Sequence, residues 1–64
     1  MENIRIGDVV TVRNNEDNCA IKKGTYQMKV IDEDDKSFAV GGYDKWWFYR
    51  DTLTAYAGDA VVIS

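Results

Sequence analysis

The residue types that most often do enzymatic chemistry are scarce in this chain. It contains no histidine, the side chain that proteins use most often as a general base and as a metal ligand. Its one cysteine, Cys19, has no histidine to activate it as a nucleophile, and we expect it to be an unreactive loop residue. Catalysis by carboxylates needs a pocket that shifts their pKa values, and the small barrel predicted below is filled by its own side chains. The composition predicts a protein that is not an enzyme and needs no cofactor.

Four consecutive carboxylates, Asp32 to Asp35, form the densest cluster of potential metal ligands. A calcium loop of the EF-hand type requires about 12 residues with alternating oxygen ligands, a central glycine and a terminal glutamate. The run DEDDK lacks that pattern. We therefore predict no metal site and interpret the run as a solvated hairpin tip, with contact to a basic partner as the alternative.

The aromatic side chains are concentrated in the sequence YDKWWFYR, which contains two adjacent tryptophans. Neighbouring residues of a strand point to opposite faces, so Trp46 and Trp47 cannot both enter one core. We predict that Trp46 and Phe48 point inward with Leu53, because the opposite register would expose Phe48. One indole should then lie in the core and the other in solvent.

The outward face of this strand is the best candidate for a contact surface. Exposed tryptophan and tyrosine often anchor interfaces, because they bury a large area with few rotatable bonds. The candidate partner-binding residues are Trp47, Tyr49 and Tyr43. The alternative is that Trp47 packs beneath the long first loop and contacts no partner.

The basic residues suggest a second, weaker hypothesis. Lys22, Lys23 and Arg13 could form a local strip that contacts RNA or DNA, with bases stacked on the aromatic side chains. However, the chain has 8 basic and 11 acidic residues, and affinity for phosphates comes mainly from clustered lysine and arginine. The charge balance therefore favours a protein partner over nucleic acid.

Size and residue usage indicate a single small domain, residues 1–64, which buries enough surface to fold alone. The lone cysteine fits a reducing compartment, and the first residues, MENIRIGDVV, lack the basic start and apolar stretch of a secretory signal. No stretch approaches the roughly 20 apolar residues of a membrane span. We expect a cytoplasmic protein, of a bacterium or an infected host, with no membrane contact.

Alternation of apolar and polar residues predicts five short strands and no helix of useful length. Val10 and Val12 should share the inward face of the first strand with Ile6 ahead of them. We expect a long loop at residues 14–24, tight turns at residues 32–36 and 41–44, and a single 3₁₀ turn at residues 50–54 that places Leu53 at the barrel end. The predicted strands are Val9–Arg13, Thr25–Ile31, Ser37–Gly41, Lys45–Arg50 and Ala60–Ser64.

The segments IGDVVTV, KKGTYQMKVI, SFAV and WWFYRDTL together resemble the Src-homology-3-like (SH3-like) small barrels. In that family a Gly-Asp opens the first strand, a glycine after the long loop opens the second, and an aromatic strand runs into a 3₁₀ turn ending in leucine. Gly7-Asp8, Gly24, Trp46-x-Phe48 and Leu53 match those features. The resemblance implies an all-β, five-stranded antiparallel barrel. The small size also resembles stand-alone barrels of phages and mobile elements.

The resemblance does not extend to the peptide-binding members of that family. The stretch VVTVRNNEDN lacks their paired tyrosines, so we do not expect recognition of proline-rich peptides. The leading hypothesis is a protein–protein interaction module, an accessory protein of phage type that docks on a host or partner protein through its aromatic patch. The alternatives are a nucleic-acid-binding barrel and a structural subunit in which the patch forms a homo-oligomer interface.

Overall fold

The computed structural model describes residues 3–17, 21–42 and 44–64. These residues form an all-β structure of five antiparallel strands, as the alternation predicted, and no helix is present among them. In particular, this part of the chain has no helix long and apolar enough to cross a membrane. The strands are β1 (Val9–Asn14), β2 (Gly24–Glu33), β3 (Ser37–Gly41), β4 (Lys45–Tyr49) and β5 (Ala60–Val62).

The strands form one curled, barrel-like sheet in the order β4-β3-β2-β1-β5. The long strand β2 makes the curl possible, because its first part pairs with β1 and its second part pairs with β3 after a bulge between Val30 and Asp32. Two single bridges, Phe48 to Ala55 and Thr54 to Val61, connect β4 and β5 to the chain segment between them. The two outermost strands therefore both pair with the chain between them.

Val10 and Val12 are buried in the core, as predicted, together with Val30 of β2. The prediction for Ile6 is wrong, because its side chain is 57% exposed and Ile4 takes the buried position instead. The physical reason is a reversal of the chain ahead of β1: the Asp8 amide donates to the Arg5 carbonyl. The core cluster comprises Ile4, Val10, Val12, Val30, Phe38, Val40, Phe48, Ala60 and Val62.

The strand boundaries differ slightly from the predicted ones. The long loop is shorter than expected, because β1 continues to Asn14 and β2 already begins at Gly24. Strand β2 also continues through Glu33, which leaves only residues 34–36 for the following turn. The last strand ends at Val62, although the two residues after it still exchange backbone hydrogen bonds with Thr11.

The chain turns sharply after β4, where a 3₁₀ turn was predicted. The Leu53 amide donates to the Tyr49 carbonyl at 2.9 Å, a bond that spans four residues rather than the three of a 3₁₀ turn. Leu53 has a φ of 62°, in the left-handed region, and packs against the core. The predicted inward position of Leu53 is thus confirmed.

Candidate functional site

The inward face of β4 carries Phe48 and Trp46, as the alternation predicted. Phe48 is fully buried, and its ring centroid lies 5.8 Å from that of Phe38 and 5.1 Å from that of Trp46. Trp46 packs against the core but is only half-buried, and its Nε1 donates to the Ala57 carbonyl at 3.1 Å. The expectation of one dry and one solvated indole is therefore wrong, because Trp47 is half-buried as well.

Trp47 points to the outer face of the sheet, where it pairs with Ala39 of β3. Ala39 is fully buried although its side chain is on the outer face, so neighbouring side chains cover the sheet at this point. The Trp47 ring lies 6.4 Å from the ring of Tyr56, in the segment between β4 and β5. Trp47 thus combines a packing role with partial exposure.

Tyr56 completes an outer group of three rings that we call the aromatic patch: Trp47, Tyr49 and Tyr56. The Tyr56 amide donates to the Trp47 carbonyl at 2.9 Å, which fixes the tyrosine beside β4. Its ring stacks on that of Tyr49, with centroids 4.2 Å apart and planes 28° from parallel. Tyr49 is 44% exposed and Tyr56 is 50% exposed, so the stacked pair presents a wide ring surface to solvent.

Sequence reasoning missed Tyr56. It lies in the irregular stretch TAYAGD, where no alternation assigns a face, and only the pairing of that stretch with β4 brings it to the patch. The predicted contact residues Trp47 and Tyr49 are neighbours in the patch. The third, Tyr43, lies outside the described residues, as does Cys19.

Charged residues border the patch where β4 ends. A cleft of about 520 Å³ is lined by Tyr49 and Tyr56 together with Asp35, Lys36, Arg50 and Asp51. The Arg50 guanidinium is bonded within the fold: it donates to two backbone carbonyls and lies 3.8 Å from the Glu33 carboxylate. Asp35 makes no side-chain hydrogen bond or ion pair within the described part of the chain. The border of the patch therefore carries charges of both signs, with the carboxylates of Asp35 and Asp51 beside the ammonium of Lys36.

Two carboxylates of the acidic run at the β2–β3 turn, Asp32 and Asp34, stabilise the fold through hydrogen bonds and an ion pair. Asp34 Oδ1 accepts from the Ser37 hydroxyl at 2.7 Å and from the amides of Lys36 and Ser37, and these bonds hold the pKa of Asp34 below its ordinary 3.8. The Lys45 ammonium lies 2.7 Å from the Asp32 carboxylate and lowers the pKa of Asp32. Over the described ranges, no group of three potential ligand side chains could hold a metal ion.

None of the three predicted nucleic-acid contacts belongs to the aromatic patch. Arg13 is exposed on β1, opposite Thr25 of β2, while Lys22 and Lys23 are exposed in the loop before β2. The Lys23 amide donates to the Asp17 carboxylate at 2.7 Å, which places a negative charge beside these lysines. Arg13 pairs with Val61 of β5, which forms a bridge to Thr54 in the segment that carries Tyr56, so β5 lies between Arg13 and the patch.

Comparisons of this chain with protein-family models, with curated proteins and with solved structures found no match.

Proposed function

We propose that this protein is a non-enzymatic interaction module that docks on another protein through the aromatic patch. The observation that carries the proposal is the stacked pair of Tyr49 and Tyr56, held together on the outer face and each about half exposed. Two rings fixed in one arrangement lose little conformational entropy when a partner covers them. Trp47, on the other side of Tyr56, adds ring area to the patch.

A protein partner fits the charges around the patch better than nucleic acid does. The carboxylates of Asp35 and Asp51 line the cleft beside Tyr49 and Tyr56. Lys36 lines the same cleft and offsets one of these carboxylates, while the Arg50 guanidinium is bonded within the fold. The remaining negative charge disfavours a phosphate backbone, whereas it attracts a protein with basic residues at its rim. The chain's net charge of −3 also disfavours binding of a phosphate backbone.

The proposal includes an SH3-like arrangement of the barrel and an accessory role of the phage type in the cytoplasm. It is supported by the five-stranded curled sheet, the long loop between β1 and β2 and the turn that ends at Leu53. The single cysteine of the chain fits a reducing compartment.

Affinity capture from a lysate of the native host, with the protein immobilised, tests the docking surface. The test variant is Tyr49→Ala with Tyr56→Ala, because both side chains are about half exposed and their removal leaves the core intact. Trp47→Ala is less suitable, since Trp47 lies over the outer face of β3. We expect a captured protein to lose at least about tenfold in affinity for the double variant, as for a typical interface anchor.

The matched control is Val9→Ala with Ile63→Ala, which removes two apolar side chains, 63% and 44% exposed, that do not belong to the aromatic patch. Capture should be unchanged by this control. A set of captured proteins that is the same for the wild type, the patch variant and the control would exclude the aromatic patch as the docking surface. Capture of nucleic acid alone, dependent on Arg13, Lys22 and Lys23, would support the alternative.

A further inference from the structure

A second concave surface lies at the end of the barrel where β2, β4 and β5 begin. It is a groove of about 630 Å³, with a volume in the range of ordinary ligand sites. Its apolar lining comes from Ile21, Met28, Val40, Trp46 and Ala57. The half-buried Trp46 is held there by the hydrogen bond from its Nε1 to the Ala57 carbonyl. The groove thus has an apolar floor in which the Trp46 ring is held in place.

The charges at the groove are mostly negative. Glu16, Asp44 and Lys45 line it, and the ammonium of Lys45 is already paired with Asp32 at 2.7 Å. The carboxylates of Glu16 and Asp44 have no ion-pair partner in the part of the chain that the structure describes. An apolar floor bordered by two unpaired carboxylates is complementary to a group that is apolar and positively charged.

The groove is continuous with the aromatic patch along the chain. Trp46 and Trp47 are neighbours on opposite faces of β4, and Tyr56 is followed directly by Ala57 and Gly58 of the groove lining. Because these residues are adjacent in the chain, with Cα atoms about 3.8 Å apart, the groove is within reach of a segment that extends from a protein covering the patch.

We propose that the groove receives a short segment of the docking partner in which a lysine or arginine stands next to an apolar residue. The apolar side chain packs on Trp46 and Met28, and the cation meets the carboxylates of Glu16 and Asp44. The assignment to the same partner rests on the proposed function, whereas the chemistry of the segment follows from the groove itself.

Nuclear magnetic resonance titration of the full chain with blocked tripeptides tests this proposal. The probe is leucyl-arginyl-leucine, and the matched peptides carry citrulline, a neutral isostere, or glutamate at the central position. We expect the arginine peptide to shift the Trp46 indole N–H signal and the amide signals of Gly41, Gly42 and Gly58. The citrulline peptide should bind more weakly, and the glutamate peptide should not bind.

The variants Glu16→Gln and Asp44→Asn should each weaken binding of the arginine peptide by roughly threefold, as expected for one exposed ion pair. The control is Asp8→Asn, which removes the same charge ahead of β1, at the other end of the barrel, and keeps an oxygen to accept from the Arg5 amide. Asp8→Asn should leave the affinity unchanged.

Equal binding of the arginine and glutamate peptides, the same loss of affinity in all three variants, or no shift of the Trp46 signal at millimolar arginine peptide would each overturn the proposal. The titration uses no natural partner, so such a result would leave the patch-dependent capture experiment standing. Conversely, capture that ignores Tyr49 and Tyr56 would remove the proposed function without changing the peptide result.

Discussion

Arg50 connects three parts of the chain through one side chain. Its Nε donates to the Asp34 carbonyl at 2.9 Å, and one terminal nitrogen donates to the Ile4 carbonyl at 2.8 Å. The other terminal nitrogen lies 3.8 Å from the Glu33 carboxylate, and the guanidinium lies 6.0 Å from the Phe38 ring centroid. The planar guanidinium can serve these directions at once, which a single ammonium cannot. Arg50 lines the cleft beside the patch, but these bonds show that its side chain stabilises the fold.

We predict that Arg50→Lys lowers the free energy of unfolding by about 2 kcal/mol, because at least one carbonyl at this partly buried position loses a charged donor. Urea unfolding of the variant and the wild type measures the difference. Lys36→Ala is the control, since the exposed Lys36 side chain makes no ion pair among the described residues, and it should change stability by less than about 0.5 kcal/mol. Equal stability of Arg50→Lys and the wild type would contradict the role given to the guanidinium.

The β3–β4 hairpin, which places both tryptophans, depends on the backbone of Gly41. Gly41 has a φ of 116°, a region that side-chain-bearing residues rarely adopt. A Cβ at this position would also lie 2.9 Å from the Asp44 carbonyl oxygen, closer than real contacts allow. The adjacent Gly42 has neither restriction, because a Cβ there would meet no atom within 4 Å.

Gly41→Ala should therefore destabilise the protein by about 2 kcal/mol or more, through both the backbone strain and the contact with Asp44. Gly42→Ala, one residue away, is the matched control and should stay within about 0.5 kcal/mol of the wild type. Thermal or urea unfolding followed by tryptophan fluorescence gives both values. Similar losses for the two glycines would show that turn entropy, rather than the geometry at Gly41, decides the stability of the hairpin.

The elements were predictable to the extent that they alternate in polarity. Met28 and Val30 point inward from β2 while Gln27 and Lys29 are exposed, as the sequence pattern indicates. Tyr56 was not predictable, because its position depends on a long-range pairing that no local pattern encodes. The exchange of Ile6 for Ile4 in the core has a local origin instead, since a turn ahead of β1 reverses the chain before the alternation begins.

At the scale of the whole molecule, carboxylates connect the turn between β2 and β3 to the rest of the sheet. Asp32 of β2 pairs with Lys45 of β4 across β3, and Asp34 accepts three hydrogen bonds within the turn. Both pKa values are lowered in the folded state, because the charged carboxylates are the acceptors in these interactions. The stability of the fold is thereby coupled to pH on the acid side.

A carboxyl whose pKa is lower in the folded state binds protons more readily when the chain is unfolded, so acid favours unfolding. The contributions of Asp32 and Asp34 should be fully present above about pH 5 and be lost progressively as the pH falls below the ordinary value of 3.8. Urea midpoints measured across this range should decrease toward acid. Asp34→Asn, which keeps an oxygen to accept the hydrogen bonds of the turn, should show a shallower decrease than the wild type. Parallel pH curves for Asp34→Asn and the wild type would mean that other carboxyls cause the loss, and that Asp34 acts in the turn without being coupled to pH.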